Sequence, residues 1–247
     1  MSFEGPQQEE VILEENLRKL RLLSQSYEDF GGLNRESALQ TIETLYGTPT
    51  EVNGFNYFMG NDHFSESWPI EMASGTVLEL ELNPLYEIIA KEVKGRVVIE
   101  LGPSVGWVDS ALEALVLGAT MYVGIDIDKR ALTQPDWKEI DAFNQRKDTH
   151  ITKKELQKFV CLIVDDPIIL LSKLEDHSAI LISSAVFTEP LHKNIKYRER
   201  LVDCVTDKTF FGAHKDTPGY PYKSFFSVKT GRSERLEVSY YLKDGVQ

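Results

Sequence analysis

Apolar positions along this chain follow two rhythms, one of helical spacing and one of short strand-like runs. Between Glu9 and about Phe30, Leu13, Leu17, Leu20 and Leu23 recur near helical spacing among Glu, Arg and Lys, which predicts an amphipathic helix ended by Gly31-Gly32. A second helix is predicted from about Arg35 to Tyr46, with Ala38, Leu39, Ile42 and Leu45 on one side and Gly47 as its stop. These two helices cannot bury their stripes on each other alone, so they are expected to pack on a larger domain as a cap. Residues 53–75 mix aromatics with Gly, Asn, Asp and Ser and read as a loop. A loop of that length is expected to be either an active-site lid or an irregular connection whose aromatics join the core. Leu78, Leu80 and Leu82 alternate with Glu79 and Glu81 in a brief strand-like run. Asn83 and Pro84 then open a helix through Leu85, Ile88, Ile89 and Val93 to Gly95.

The stretch from Arg96 to Asp128 is the best organised. Val97, Val98 and Ile99 form an apolar run ending in Glu100, and a small-residue turn follows from Gly102 to Gly106. A helical pattern (Val108, Leu112, Leu115, Val116) stops at Gly118, and Met121 to Ile125 make a second apolar run ending in Asp126. Strand, glycine turn, helix and strand form a βαβ unit of a parallel sheet, with a loop at its first turn suited to a nucleotide. After Asp128, a polar segment to Lys158 carries Trp137, Ile140 and Phe143 and predicts a helix plus an excursion. Further strands are expected at Phe159–Val164, Ala179–Ile182 and Thr209–Ala213, with helices at Ile168–Leu174 and from about His192 to Asp207. Two last runs, Ser224–Val228 and Leu236–Leu242, joined through Gly231, predict a hairpin forming an antiparallel edge.

Spacing at the turn discriminates between ligands. A dinucleotide fingerprint would need glycines at 102, 104 and 107, but the residues are Gly102, Ser104 and Trp107. The pattern E/D-x-G-x-G-x-G fits at Glu100, Gly102 and Gly106, with one change, to Ser104. No Gly-Lys-Ser/Thr follows, and Glu100 would repel a pyrophosphate; a carboxylate there suits a cationic ligand. The turn resembles motif I of the class I S-adenosylmethionine-dependent methyltransferases, and the resemblance extends over roughly residues 76–247.

That resemblance implies an α/β fold: a seven-stranded, mostly parallel sheet with an antiparallel C-terminal hairpin and helices on both faces. Residues 1–75 would precede it as a helical cap and lid. It implies S-adenosylmethionine as cofactor, its methionine end held by Glu100 and the turn Gly102, Pro103, Ser104 and Gly106. Asp126, with Ile127 beside it, would take both ribose hydroxyls. Asp166 would reach the adenine amino group, with Asp165 as the off-by-one alternative, and Ser184 would lie at the exit of the fourth strand. On this reading Asp126 faces an empty cleft with no native partner, and Asp128 is a solvated loop acid.

Acids at successive strand ends (Glu100, Asp126, Asp165-Asp166) favour a binding site, because ligands of open α/β sheets sit at the carboxyl ends of the strands. They lie on separate strands without the clustering signature of a divalent metal site, so no metal is expected. Methyl transfer mainly requires alignment and exclusion of water, with a base for some nucleophiles. Acceptor-side residues are expected at the fourth-strand exit and in later loops: Phe187, Glu189 and His192, then His214, Tyr220 and Tyr222. His192 is the best-placed base, although a lone His at a helix start is more often a surface residue. No acceptor motif is recognisable, and catalytic residues are not assigned.

Composition narrows the class. The chain has 247 residues and a net charge of −12, which argues against non-specific binding to nucleic acid. Residues 193–200 (KNIKYRER) form the one dense basic stretch, and a solvated helix face is its simpler reading. Cys161 and Cys204 suggest reduced thiols rather than a disulfide framework. No apolar run approaches ~20 residues, so no membrane span is expected, and a cytoplasmic protein is the simplest reading. The expected partner is a small-molecule or protein substrate. The alternatives are a non-catalytic protein of the same fold that binds a partner through its cap, and an NAD-binding oxidoreductase.

Overall fold

The computed structural model describes residues 35–60 and 93–174, the isolated residues 90, 196 and 200, and the backbone of four later strands at 180–183, 209–213, 226–229 and 237–241. The strands are β1 Thr50–Val52, β2 Phe55–Met59, β3 Val97–Leu101, β4 Met121–Asp126, β5 Val160–Val164, β6 Ile180–Ser183, β7 Thr209–Ala213, β8 Phe226–Lys229 and β9 Glu237–Tyr241. The described helices are α1 Arg35–Tyr46, α2 Trp107–Val116, α3 Lys129–Thr133, α4 Lys138–Lys147, α5 Lys153–Phe159 and α6 Pro167–Leu171.

The nine described strands join one sheet in the order β1-β2-β5-β4-β3-β6-β7-β9-β8. Pairing is parallel from β2 through β7. It is antiparallel between β1 and β2 and where β9 lies between β7 and β8. The α/β class, the parallel centre and the antiparallel C-terminal edge agree with the pattern in the sequence. The strand count does not, because β1 and β2 extend the sheet beyond β5.

This corrects the reading of residues 53–75 as a loop from its first residue. Asn53 and Gly54 both adopt left-handed backbone, with φ of 54° and 84°, as a two-residue hairpin turn requires. Phe55 to Met59 then alternate onto the sheet, with Tyr57 opposite Leu162 and Met59 opposite Val164. Phe55, Tyr57 and Phe58 are buried, so these aromatics belong to the core. The rest of the proposed lid, from residue 61 to 75, lies outside the described residues. So do the helix expected at 9–30, the strand expected at 78–82, and most of the helices expected at 83–93 and 192–207.

Strand alternation divides the core in two. On one face Val98, Tyr122, Leu162, Phe55 and Tyr57 pack against Trp107, Val108 and Leu112 of α2, with Phe143 of α4 and Leu156 of α5. On the other, Val97, Ile99, Leu101, Met121, Val123, Ile125 and Ile163 pack with Ala38 and Ile42 of α1 and with Ile168, Leu170 and Leu171 around α6. The predicted second helix therefore flanks the sheet, and its bounds match the sequence pattern. Thr152 and Glu155 form a reciprocal capping box that starts α5 and delivers the chain into β5.

Candidate functional site

The strand order reverses direction at β3: the chain runs outward through β4 and β5, then returns to β6 and β7 on the other side. A crevice is expected at the carboxyl end of β3, where ligands of open α/β sheets bind. The turn Gly102 to Gly106 occupies that position. Gly102 has φ of 64° and its N–H donates to the carbonyl of Ile125 at 2.8 Å, extending the β3–β4 ladder by one step. Pro103 is buried, and Ser104–Gly106 form a single 3₁₀ turn that runs into α2 at Trp107.

Ser104, the one departure from the glycine pattern, has φ of 53°. It keeps the left-handed conformation a glycine would take, at a steric cost a Cβ imposes and glycine does not. Asp126 lies beside it: its Oδ2 accepts from the Ser104 N–H at 3.0 Å and its Oδ1 from the Asp128 N–H at 2.9 Å. The expectation of a carboxylate with no native partner is therefore corrected. Only 7% of Asp126 is exposed, and burial pushes its pKa up to about 6 against the lowering effect of these backbone donors. The Ile127 N–H also acts on this carboxylate, so backbone donors from both the turn and the strand exit converge on it.

Glu100 is fully buried on β3, and its Oε2 accepts from the hydroxyl of Tyr122 on β4. Burial, then the charge of Glu100, raises the pKa of Tyr122, so the phenol keeps its proton and remains the donor. Gly124, paired with Glu100 across the ladder, leaves room for this contact. A Cβ there would sit 3.2 Å from Cε1 of Tyr122 and 3.0 Å from Cδ2 of Leu162. The sequence reading missed Tyr122. Its signal was present: Tyr122, Gly124 and Asp126 alternate onto one strand face, and a buried hydroxyl needs an acceptor.

The third acid pair divides its work. Asp165 is buried, and its N–H continues the ladder to the carbonyl of Asp126 at 3.1 Å. Asp166 caps α6, Oδ1 accepting from the Ile168 N–H at 2.9 Å, and stays partly exposed. Asp128 is a correction to the solvated-acid reading: it caps α3 and holds Arg130 at 2.6 Å, and the Arg130 side chain lowers its pKa. Ile127 lies between the two acids, partly exposed. Glu100, Gly102, Ser104, Gly106, Asp126 and Asp166 thus share the carboxyl ends of three adjacent parallel strands. Residues 97–128 contain no Lys, Arg or His, so this segment offers carboxylates and backbone amides and no side-chain cation for a phosphate. Ser184, Phe187, Glu189, His192, His214, Tyr220 and Tyr222 lie outside the described residues.

Away from this rim, Lys196 and Arg200, the described residues of the basic stretch, are exposed. Among the described residues no helix is long and apolar enough to cross a membrane.

No protein-family model matches the sequence. No curated protein matches it either. Solved structures do. An rRNA methyltransferase from Streptomyces viridochromogenes is 12% identical over 72% of this chain and 88% of its own, with a TM-score of 0.40. A ribosomal protein L11 methylase from Lactobacillus delbrueckii subsp. bulgaricus is 15% identical over 78% of this chain and 98% of its own, with a TM-score of 0.38. An S-adenosylmethionine-dependent methyltransferase from Mesorhizobium loti is 17% identical over 59% of this chain and 55% of its own, with a TM-score of 0.30. Methyltransferases are thus among the solved structures this chain is similar to, and no subfamily is singled out.

Proposed function

We propose that this chain is a class I S-adenosylmethionine-dependent methyltransferase. The observation that carries the reading is the pairing of a left-handed turn at Gly102 and Ser104 with the Asp126 carboxylate at the adjacent strand end. The donor set fits the cofactor. Asp126 places a carboxylate at the strand end for a vicinal diol, the turn presents backbone to the methionine portion, and the Glu100 carboxyl lies in the strand below. When bound, the cofactor supplies an electrophilic methyl group on a sulfonium. The chain's part is to fix the ribose at Asp126, shape the turn around the methionine end, and exclude water. Asp166, partly exposed and itself the cap of α6, is the adenine-side acceptor in this reading.

In this reading residues 76–247 carry the cofactor domain, and residues 1–75 are an N-terminal extension whose β1–β2 portion completes the sheet. Ser184 is a further cofactor contact, Phe187, Glu189, His192 and Tyr220 are the acceptor-side residues, and the acceptor is a small molecule or a protein side chain. The setting is cytoplasmic, where the buried, free thiol of Cys161 stays reduced. The absence of Lys, Arg and His from residues 97–128 disfavours NAD, whose pyrophosphate would meet Glu100 instead.

Isothermal titration with S-adenosylhomocysteine tests the assignment. Saturable binding is expected, with no heat from NAD. Binding of NAD without a response to S-adenosylhomocysteine would replace this reading by the oxidoreductase one. Methyl transfer from labelled cofactor to small-molecule, protein and RNA fractions then identifies the acceptor class.

A further inference from the structure

Asp126 is engaged before any ligand arrives. Its Oδ2 accepts from the backbone N–H of Ser104, a residue of the neighbouring turn held at φ of 53°. Three features converge on this contact. Ser104 has a Cβ, so the left-handed conformation is uphill for it in a way it would not be for glycine. The acceptor is a carboxylate that is nearly all buried, where a hydrogen bond to charge is strong. The second oxygen is fixed by the Asp128 N–H, and Asp128 is itself fixed by capping α3 and holding Arg130, so the carboxylate cannot easily rotate away from the turn.

We propose that Asp126 is a positioning residue for the turn as well as a ligand contact: by accepting from Ser104 it holds residues 102–106 in their binding conformation in the ligand-free protein. The turn then does not have to be ordered by the ligand, and that part of the ordering cost is met during folding. The glycine usual at position 104 would adopt this backbone unaided; here a serine adopts it with an acceptor from the next strand. This inference rests on the proposed cofactor site for its consequence, but its structural core concerns the unliganded chain.

The test separates the two. Amide hydrogen exchange is measured on full-length, ligand-free wild type, Asp126→Asn and Asp126→Ala, with the amides of Ile99 and Val123 reporting that the sheet stays folded. Exchange at Ser104 is expected to rise at least about tenfold in Asp126→Ala, the loss expected for one hydrogen bond to a charged acceptor. Asp126→Asn, of the same size, is expected to show a smaller rise and guards against a folding defect in the alanine variant. Unchanged exchange at Ser104 in both variants with an intact sheet would overturn the proposal.

Titration with S-adenosylhomocysteine adds a readout that a ligand-only role would not move. In the Asp126→Ala background, Ser104→Gly should recover part of the lost affinity, since glycine takes the left-handed turn without help; in wild type it should change affinity little. Equal effects of Ser104→Gly in both backgrounds would refute the positioning role. If S-adenosylhomocysteine fails to bind wild type while Ser104 exchange still depends on Asp126, the positioning role stands and the methyltransferase reading falls.

Discussion

The two faces of the sheet are built from different chemistry. The face under α1 and α6 is mostly aliphatic, with Val97, Ile99, Leu101, Val123, Ile125 and Ile163 joined by Phe58 and the thiol of Cys161, and among the described residues its polar groups are confined to Tyr46 and buried Asp165 at the strand end. The face under α2, α4 and α5 carries Phe55, Tyr57, Trp107, Tyr122 and Phe143, and it buries Glu100, Asp109, Ser110 and Glu113 as well. Apolar contacts tolerate small shifts, whereas buried polar groups require partners at fixed distances. Trp107 Nε1 and the Tyr57 hydroxyl both donate to the carbonyl of Leu132, at 3.0 and 3.2 Å, and Lys147 meets the buried Glu113 at 3.1 Å. The strand-end acids Glu100 and Asp126 project from this second face, so the face that is positionally constrained is also the one that supplies the site.

The contrast is broken most sharply at its cores. Trp107→Ala removes an aromatic that touches Phe55 and Trp137 at ring distances of 5.3 and 5.9 Å. It should destabilise by about 3–5 kcal/mol, with Ile99→Ala on the aliphatic face costing about 2–5 kcal/mol. In the folded fraction only Trp107→Ala should also weaken S-adenosylhomocysteine binding, because α2 begins there, directly after the turn. Urea denaturation combined with titration checks both, and equal affinity losses would erase the functional distinction between the faces.

A smaller effect is expected at Tyr122→Phe, which deletes the hydrogen bond to Glu100 and keeps the ring. A loss of about 1.5–3 kcal/mol by denaturant unfolding is expected for a bond to a charged acceptor. An unchanged midpoint would mean that Glu100 does not depend on this hydroxyl.

The smallest effect is a pH dependence with opposite signs. Burial raises the pKa of Asp126 from its ordinary value of 3.8 to about 6. The folded state therefore holds this proton more tightly than the unfolded state. The associated stabilisation is full below the unfolded value and is lost as pH rises through about 6. Ligand hydroxyls need the ionised form, so affinity for S-adenosylhomocysteine should fall about tenfold per unit below that pH. Asp126→Asn cannot titrate, so the difference between wild type and this variant isolates the group. Stability and affinity moving together across pH 7 to 5 would contradict a carboxylate that is both buried and ligand-bearing.

Much of this was legible because it is local. The βαβ unit, the turn and the bounds of α1 and β7 all follow from periodicity and glycine stops within a dozen residues. The edge hairpin was missed although Asn53-Gly54 is a strong two-residue turn signal, because the mixed aromatic and polar residues after it read as one long loop. The partners of Asp126 and Glu100 were illegible for a different reason: Ser104 and Tyr122 each lie 22 positions away, and only sheet register brings them together. Asp128 read as solvated because sequence does not reveal which strand-end acid caps the next helix.

The hairpin has one further consequence. Without β1 and β2, the sheet would end at β5, whose sequence VCLIV would offer unpaired backbone along an apolar edge. Such an edge invites another chain to add its own strand, the first step toward aggregation. Instead, among the described residues the sheet ends at β1, a three-residue strand whose Thr50 and Glu51 are exposed, with a charge at its centre. The ten residues from 50 to 59 therefore replace a long apolar edge with a short, charged one, along which a second sheet would pair poorly.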